Sequence, residues 1–159
     1  MFFAGIGVFA CIASARYVKE RLLHAGEYYA LILLAIIGAN GMAAARELLT
    51  AYISLELLSF SLYVLVSYAK YDLKSNEAGL KYMLLGAFSS AFFLYGISMV
   101  YGATGTTDFA AIGEVLSRYR DISSIDSALF FGLALMIAGL GFKVAAVPFH
   151  MWTPDAYEG

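Results

Sequence analysis

SALFFGLALMIAGLGFKVAAVPFHMWTPDAYEG, residues Ser127 to Gly159, begins as an apolar run of membrane-helix character. It carries one lysine, Lys143, deep inside that run and is broken by Pro148 before a polar, aromatic ending. A lysine near the centre of a bilayer costs roughly 2.5 to 3.5 kcal/mol on insertion scales, so such residues face a bundle interior or water and find a partner. The partner candidate is Glu56, which sits in the middle of another apolar run, ISLELLSFSLYVL. The alternative reading of Lys143 is a lysine near a helix end whose long stem reaches the headgroups, and the nearby Pro148 keeps that reading open.

Composition agrees with a membrane protein. Of 159 residues, 62% are hydrophobic, and the mean hydropathy is +0.77, well above the usual apolar share of globular chains. The fold class expected is all-α, a polytopic transmembrane helix bundle. Only 14% of residues are charged and the net charge is -2, so no basic field for nucleic acid exists, and nucleic acid is excluded as a partner. The lone Cys11 gives neither a disulfide framework nor a CxxC metal pair, so no redox centre, metal site or cofactor is expected in this chain. A soluble enzyme is excluded by composition, and no cluster of nucleophile, base and orienting group is found.

Worked outward from Lys143, the chain divides into five apolar spans. Residues 1–15 are too short to cross a bilayer, which takes about 20 residues, and read as an incomplete helix followed by the charges Arg16, Lys19, Glu20 and Arg21. Residues 28–45 form the next span, in which Asn40 reads as packing glue between helices. Residues 48–69 contain Glu56, with Tyr52, Ser59 and Tyr63 on its helical face, a polar stripe. A protonated carboxyl donating to a neighbouring helix is the plain structural alternative for Glu56. Residues 77–101 follow, with Ser75 or Asn76 as candidate caps and Lys81 four residues after Glu77, the favourable order for a pair on one helix face. Read from the residues alone, Lys81 is an interfacial lysine, and Gly86, Ser89 and Ser90 form a small-residue packing face. Residues 108–120 carry Phe109, Ile112, Val115, Leu116 and Tyr119 on one face, so they read as a surface helix or a packed connector. Residues 127–147 are the last complete span, with Gly139 and Ala146 leaving space beside Lys143. Thr153 is expected to cap a helix starting at 154–159, with Pro154 at its first position. The loops 16–27 and 70–77 hold five basic residues against three in the alternate loops, which makes the first pair cytoplasmic.

Three stretches carry a resemblance: ISLELLSFSLYVL, SNEAGLKYMLLGAFSSAFFLYGISMVYG and, most specifically, GLGFKVAAVPFHMWTPDAYEG. They resemble the antiporter-like proton-translocating subunits, the subunit N family of respiratory complex I (NADH:quinone oxidoreductase), related to cation/proton antiporter complexes. The resemblance implies a longer protein built of inverted repeats, of which this chain is a fragment: the first antiporter-like half-channel region, with a discontinuous seventh-type helix. It further implies proton-translocation roles for Glu56, Lys81 and Lys143. Tyr52 and Ser59, on the face of Glu56, are expected to support them by hydrogen bonding, with His150 as a further supporting candidate. For His150, in the pattern PFHMWTPD, a structural turn role is favoured over proton entry. In this reading Glu56 and Lys143 form a switch, because burial favours release of a lysine's proton and a neighbouring carboxylate favours its retention. NADH or another electron donor, flavin, iron-sulfur clusters and quinone are then expected in partner subunits. The expected partners are the other membrane and peripheral subunits of complex I and the lipid bilayer, in a bacterial cytoplasmic membrane or, alternatively, an organellar inner or thylakoid membrane. Alternative functions are a subunit of a cation/proton antiporter or membrane-bound hydrogenase complex, or a truncated membrane scaffold without transport.

Overall fold

A computed structural model describes residues 2–21, 25–119 and 125–158. These form seven helices: α1 (Phe2–Arg21), α2 (Ala25–Ala44), α3 (Leu48–Val66), α4 (Leu73–Thr104), α5 (Phe109–Ser117), α6 (Ser127–Lys143) and α7 (Thr153–Glu158). Helices α1 to α4 are each long and apolar enough to cross a membrane; α6 is apolar and shorter, at 17 residues.

Several boundaries differ from the sequence expectation. Helix α1 continues past the apolar run to Arg21, and Arg16 and Glu20 pair along it at 2.8 Å, so charges assigned to a loop occupy its last two turns. Helix α4 begins at Leu73 because Asp72 is the cap, its carboxylate accepting the Lys74 N–H at 2.9 Å. The two expected caps are used otherwise: Ser75 donates to the Val66 carbonyl at 2.6 Å and Asn76 to that of Lys70 at 2.9 Å, tying α4 back to the end of α3. Thr153 does not cap α7. It is the first helical residue, and its hydroxyl oxygen is buried with no hydrogen-bond partner among the described residues. The expected surface helix 108–120 is helical over Phe109–Ser117, capped by Asp108, and its Ile112 is buried in the main core, so it packs as a connector. Arg120, at the end of that expected helix, and Met1, His24 and Gly159 lie outside the described residues.

The span expected over 127–147 is helical only as far as Lys143. Beyond it Ala145 takes a φ of 53°, and a cis bond joins Val147 to Pro148. The left-handed region is costly for a residue with a Cβ, so something beyond local preference ends this helix. The chain then makes turns over 147–152 before α7.

Helices pack through small residues. A Cβ on Gly96 would lie 2.6 Å from the Gly132 carbonyl, and one on Gly139 2.6 Å from Phe93 Cβ, while Ser89 donates to the Gly139 carbonyl at 2.8 Å. The pairings 89 with 139 and 96 with 132 run in opposite senses, so α4 and α6 are antiparallel. Gly38 brings α2 equally close to the α3 backbone at Leu58. A core of Leu48, Leu55, Phe93, Ile97, Val100, Ile112 and Leu129 fills the space between α3, α4, α5 and α6. Large side chains such as Ile37, Phe88, Phe92 and Ile137 point outward, as in a bundle whose helices associate by close packing in lipid. At one end, Glu47 accepts hydrogen bonds from Thr50 (2.6 Å) and Thr107 (2.7 Å), clasping the α2–α3 turn to the connector before α5.

Candidate functional site

The antiparallel packing brings the C-terminal end of α6 level with the middle of α3. Lys143, the last residue of α6, donates to Ser59 Oγ at 2.8 Å and to Tyr63 Oη at 3.0 Å, and its ammonium lies 3.4 Å from Glu56 Oε1. An ammonium has three N–H donors and no acceptor, and three oxygens surround this one. The side chains of Lys143 and Glu56 are only 9% and 14% exposed. Charges this buried persist only when paired and hydrogen-bonded, and both conditions are met. Glu56 has a second partner on α4, where Ser90 Oγ donates to the same Oε1 at 2.6 Å. Ser59 spends its own proton on the Leu55 carbonyl at 2.8 Å, which turns its lone pairs toward the lysine.

The helix break beside Lys143 is closed by a Schellman-type turn, in which the Ala145 N–H donates to the Phe142 carbonyl at 3.0 Å and the Ala146 N–H to the Gly141 carbonyl at 2.8 Å. One side chain adds to it: Trp152 Nε1 also donates to the Phe142 carbonyl, at 3.1 Å. The indole lies flat on Tyr82, with centroids 4.4 Å apart and planes 9° from parallel, and Tyr82 stands edge-on to Tyr63 at 4.6 Å. A line of aromatic rings therefore links the break to the phenol that accepts from Lys143.

Of the residues expected at the site, Glu56, Ser59 and Lys143 come together. Lys81 does not join them. It is 45% exposed and pairs with Glu77 at 2.7 Å and with Asp155 of α7 at 3.4 Å, in a cleft of about 160 Å³ that Lys74 and Glu158 also line. Tyr52, one turn before Glu56, is partly buried and packs its ring against Phe93 of the core at 5.9 Å. His150 is exposed in the turn after Pro148, and its carbonyl accepts the Thr153 N–H at 3.1 Å. Two groups at the pair were not among the expected site residues. Tyr63 lies on the face of Glu56 by helical spacing, which was a usable signal. Ser90 reads as packing, and nothing in the sequence separates it from Ser89.

The sequence model of the family described as NADH:quinone oxidoreductase/Mrp antiporter, TM, matches residues 45–159. The chain belongs to this family. The match contains α3 through α7, and so the whole of the Lys143 site, and it agrees with the resemblance carried by the sequence motifs. Within the family, the chain is 46% identical over 152 residues to the NADH-quinone oxidoreductase subunit N 1 of Thermodesulfovibrio yellowstonii, covering 96% of this chain and 32% of that protein. Its fold is similar to a chain of respiratory complex I from Thermus thermophilus, with a TM-score of 0.70 and 38% identity, covering 87% of this chain and 31% of that one. A chain of an archaeal membrane-bound sulfane sulfur reductase matches with a TM-score of 0.79 and 30% identity, covering 96% of this chain and 30% of that one. The chain thus spans about a third of the length of the antiporter-family relatives it matches.

Proposed function

We propose that this chain is part of a proton-translocating membrane subunit of an NADH:quinone oxidoreductase complex, and that Lys143 and Glu56 form its proton switch. The observation that carries this reading is the buried ammonium of Lys143, held 3.4 Å from a buried carboxylate at a helix break. Intramembrane charges are rare and mark ion paths, and a lysine, unlike an arginine, changes its protonation readily when buried. With Glu56 close, the ammonium is the favoured form. When Glu56 moves away from Nζ while keeping its bond to Ser90, burial favours release of the proton from Nζ to water or the next acceptor. Lys81, in the cleft between α4 and α7, relays protons to the pair or modulates it electrostatically. This chain performs no redox step. The drive comes from quinone reduction in other subunits, which hold the electron donor's site, flavin, iron-sulfur clusters and quinone. The relatives' bacterial origin supports a cytoplasmic-membrane location.

The test is Lys143→Met in the intact, membrane-reconstituted complex. Protons moved per electron should fall while quinone reduction continues; an unchanged ratio would remove the switch. The similarity to a sulfane sulfur reductase chain, at a TM-score of 0.79, favours one second reading, in which the same proton-handling unit serves a different electron-transfer complex. The cofactors of the subunits that co-purify with the full-length protein distinguish the two.

A further inference from the structure

Each member of the buried pair is closer to a neutral hydroxyl than to its charged partner. Lys143 lies 2.8 Å from Ser59 and 3.0 Å from Tyr63 but 3.4 Å from Glu56, and Glu56 lies 2.6 Å from Ser90. The arrangement therefore already contains the contacts each group needs when the two are apart. For the lysine those contacts come from α3, and the more constrained of them is Tyr63.

Three neighbours fix that phenol. Its ring is buried, at 4% exposure, and stands edge-on to both Tyr82 (4.6 Å) and Phe60 (5.9 Å). Its hydroxyl occupies the space left by Gly86 on α4, where an added Cβ would overlap Oη and Cζ of Tyr63. Gly86 is therefore a slot shaped for a phenol, and its role exceeds close helix packing.

We propose that Tyr63, seated in the Gly86 slot, is a positioning residue that keeps the Lys143 amino group in place while Glu56 is withdrawn and the proton leaves. This rests on the reading of Lys143 as the proton carrier. Tyr63 accepts a hydrogen bond throughout and neither takes nor gives a proton, so the proton that leaves Nζ passes to water or to the next acceptor.

The test uses the full-length subunit in the intact complex, with Tyr63→Phe, Gly86→Ala, the double variant and Lys143→Met. Tyr63→Phe keeps the ring and removes only the hydroxyl. It should leave complex assembly and quinone reduction at wild-type levels and lower the melting temperature only by the loss of one hydrogen bond, while protons moved per electron fall to less than about half, since a hydrogen bond to a charged group is among the stronger ones. A residue with a merely structural role would lower assembly and melting temperature and leave the protons moved per electron by the assembled complex unchanged. Gly86→Ala should lose pumping and melt lower. Adding Tyr63→Phe to it should recover part of the melting temperature, because one overlapping atom is gone, and none of the pumping. A wild-type proton ratio in Tyr63→Phe, or recovered pumping in the double variant, would overturn the proposal. If Lys143→Met loses pumping while Tyr63→Phe keeps it, only the role of Tyr63 fails; if Lys143→Met pumps normally, the switch itself fails.

Discussion

Replacing Trp152 measures how firmly the break after Lys143 is held. The indole is 8% exposed, donates to the Phe142 carbonyl at 3.1 Å and stacks on Tyr82 at 4.4 Å. Trp152→Phe keeps an aromatic ring in place and loses the donor. The Phe142 carbonyl retains the Ala145 N–H at 3.0 Å, so no buried acceptor is orphaned, and the loss is that of one hydrogen bond, about 0.5 to 1.5 kcal/mol, together with the packing lost when a phenyl ring replaces the larger indole. Trp152→Ala removes the ring as well and leaves a cavity between Tyr82 and Phe142, which for such truncations costs about 3 to 5 kcal/mol. Amide hydrogen exchange over 142–152 in the purified complex reads this free energy locally. At about 1.4 kcal/mol per factor of ten, exchange should accelerate about tenfold in the Phe variant and about a hundredfold or more in the Ala variant. Equal rates in the two variants would refute the claim that the aromatic stack holds the break.

Three further outcomes follow from the packing and the surface charges. Gly96→Ala would set a Cβ 2.6 Å from the Gly132 carbonyl of the antiparallel helix, and this overpacking should destabilise the subunit by about 1 to 3 kcal/mol, read as a lower melting temperature. Asp155→Asn should change stability by no more than about 1 kcal/mol, because both partners are 45% exposed and Lys81 keeps Glu77 at 2.7 Å; the same melt checks it. Hydrogen bonds from Thr50 and then Thr107 hold the Glu47 carboxyl below the ordinary carboxylate range. A depressed folded value means that its stabilisation is fully present above that range and is lost as pH falls through the lowered value. Exchange at the N–H groups of Leu48 and Phe109, which bond to Thr107 and Arg46, should therefore accelerate below that range after correction for intrinsic rates, and Thr107→Val should weaken the pH dependence.

The parts of this site that were legible in the sequence are those where a charge has few places to go. Lys143 and Glu56 stand inside apolar runs, and two opposite charges in lipid have little choice but each other. The Glu77–Lys81 pair was legible for a different reason, since helical spacing alone sets it. What was not legible depends on contacts between distant segments. Pro148 marks a break, yet α6 already ends at Lys143, because Ala145 turns into the left-handed region, the N–H groups of Ala145 and Ala146 close back on Phe142 and Gly141, and the indole of Trp152 adds a bond to the Phe142 carbonyl. Asp72, Ser75 and Asn76 are all chemically able to cap α4. Ser75 is withdrawn from that choice by its bond to Val66 on the preceding helix. The attachment of Asp155 to Lys81 has no periodicity to announce it. The reach of Tyr63 to Lys143 depends on a missing Cβ at Gly86, which the sequence offers only as one more small residue in a packing face.

The central claim is that Lys143 must let go of a proton, beyond carrying a charge beside Glu56. Lys143→Arg separates these two requirements, because a guanidinium keeps its charge and can pair with a carboxylate but does not deprotonate in proteins. The decisive measurement is protons moved per electron by the reconstituted complex carrying this substitution. Quinone reduction with pumping lost to the level of Lys143→Met is the predicted result. Wild-type pumping with arginine in that position would contradict the account.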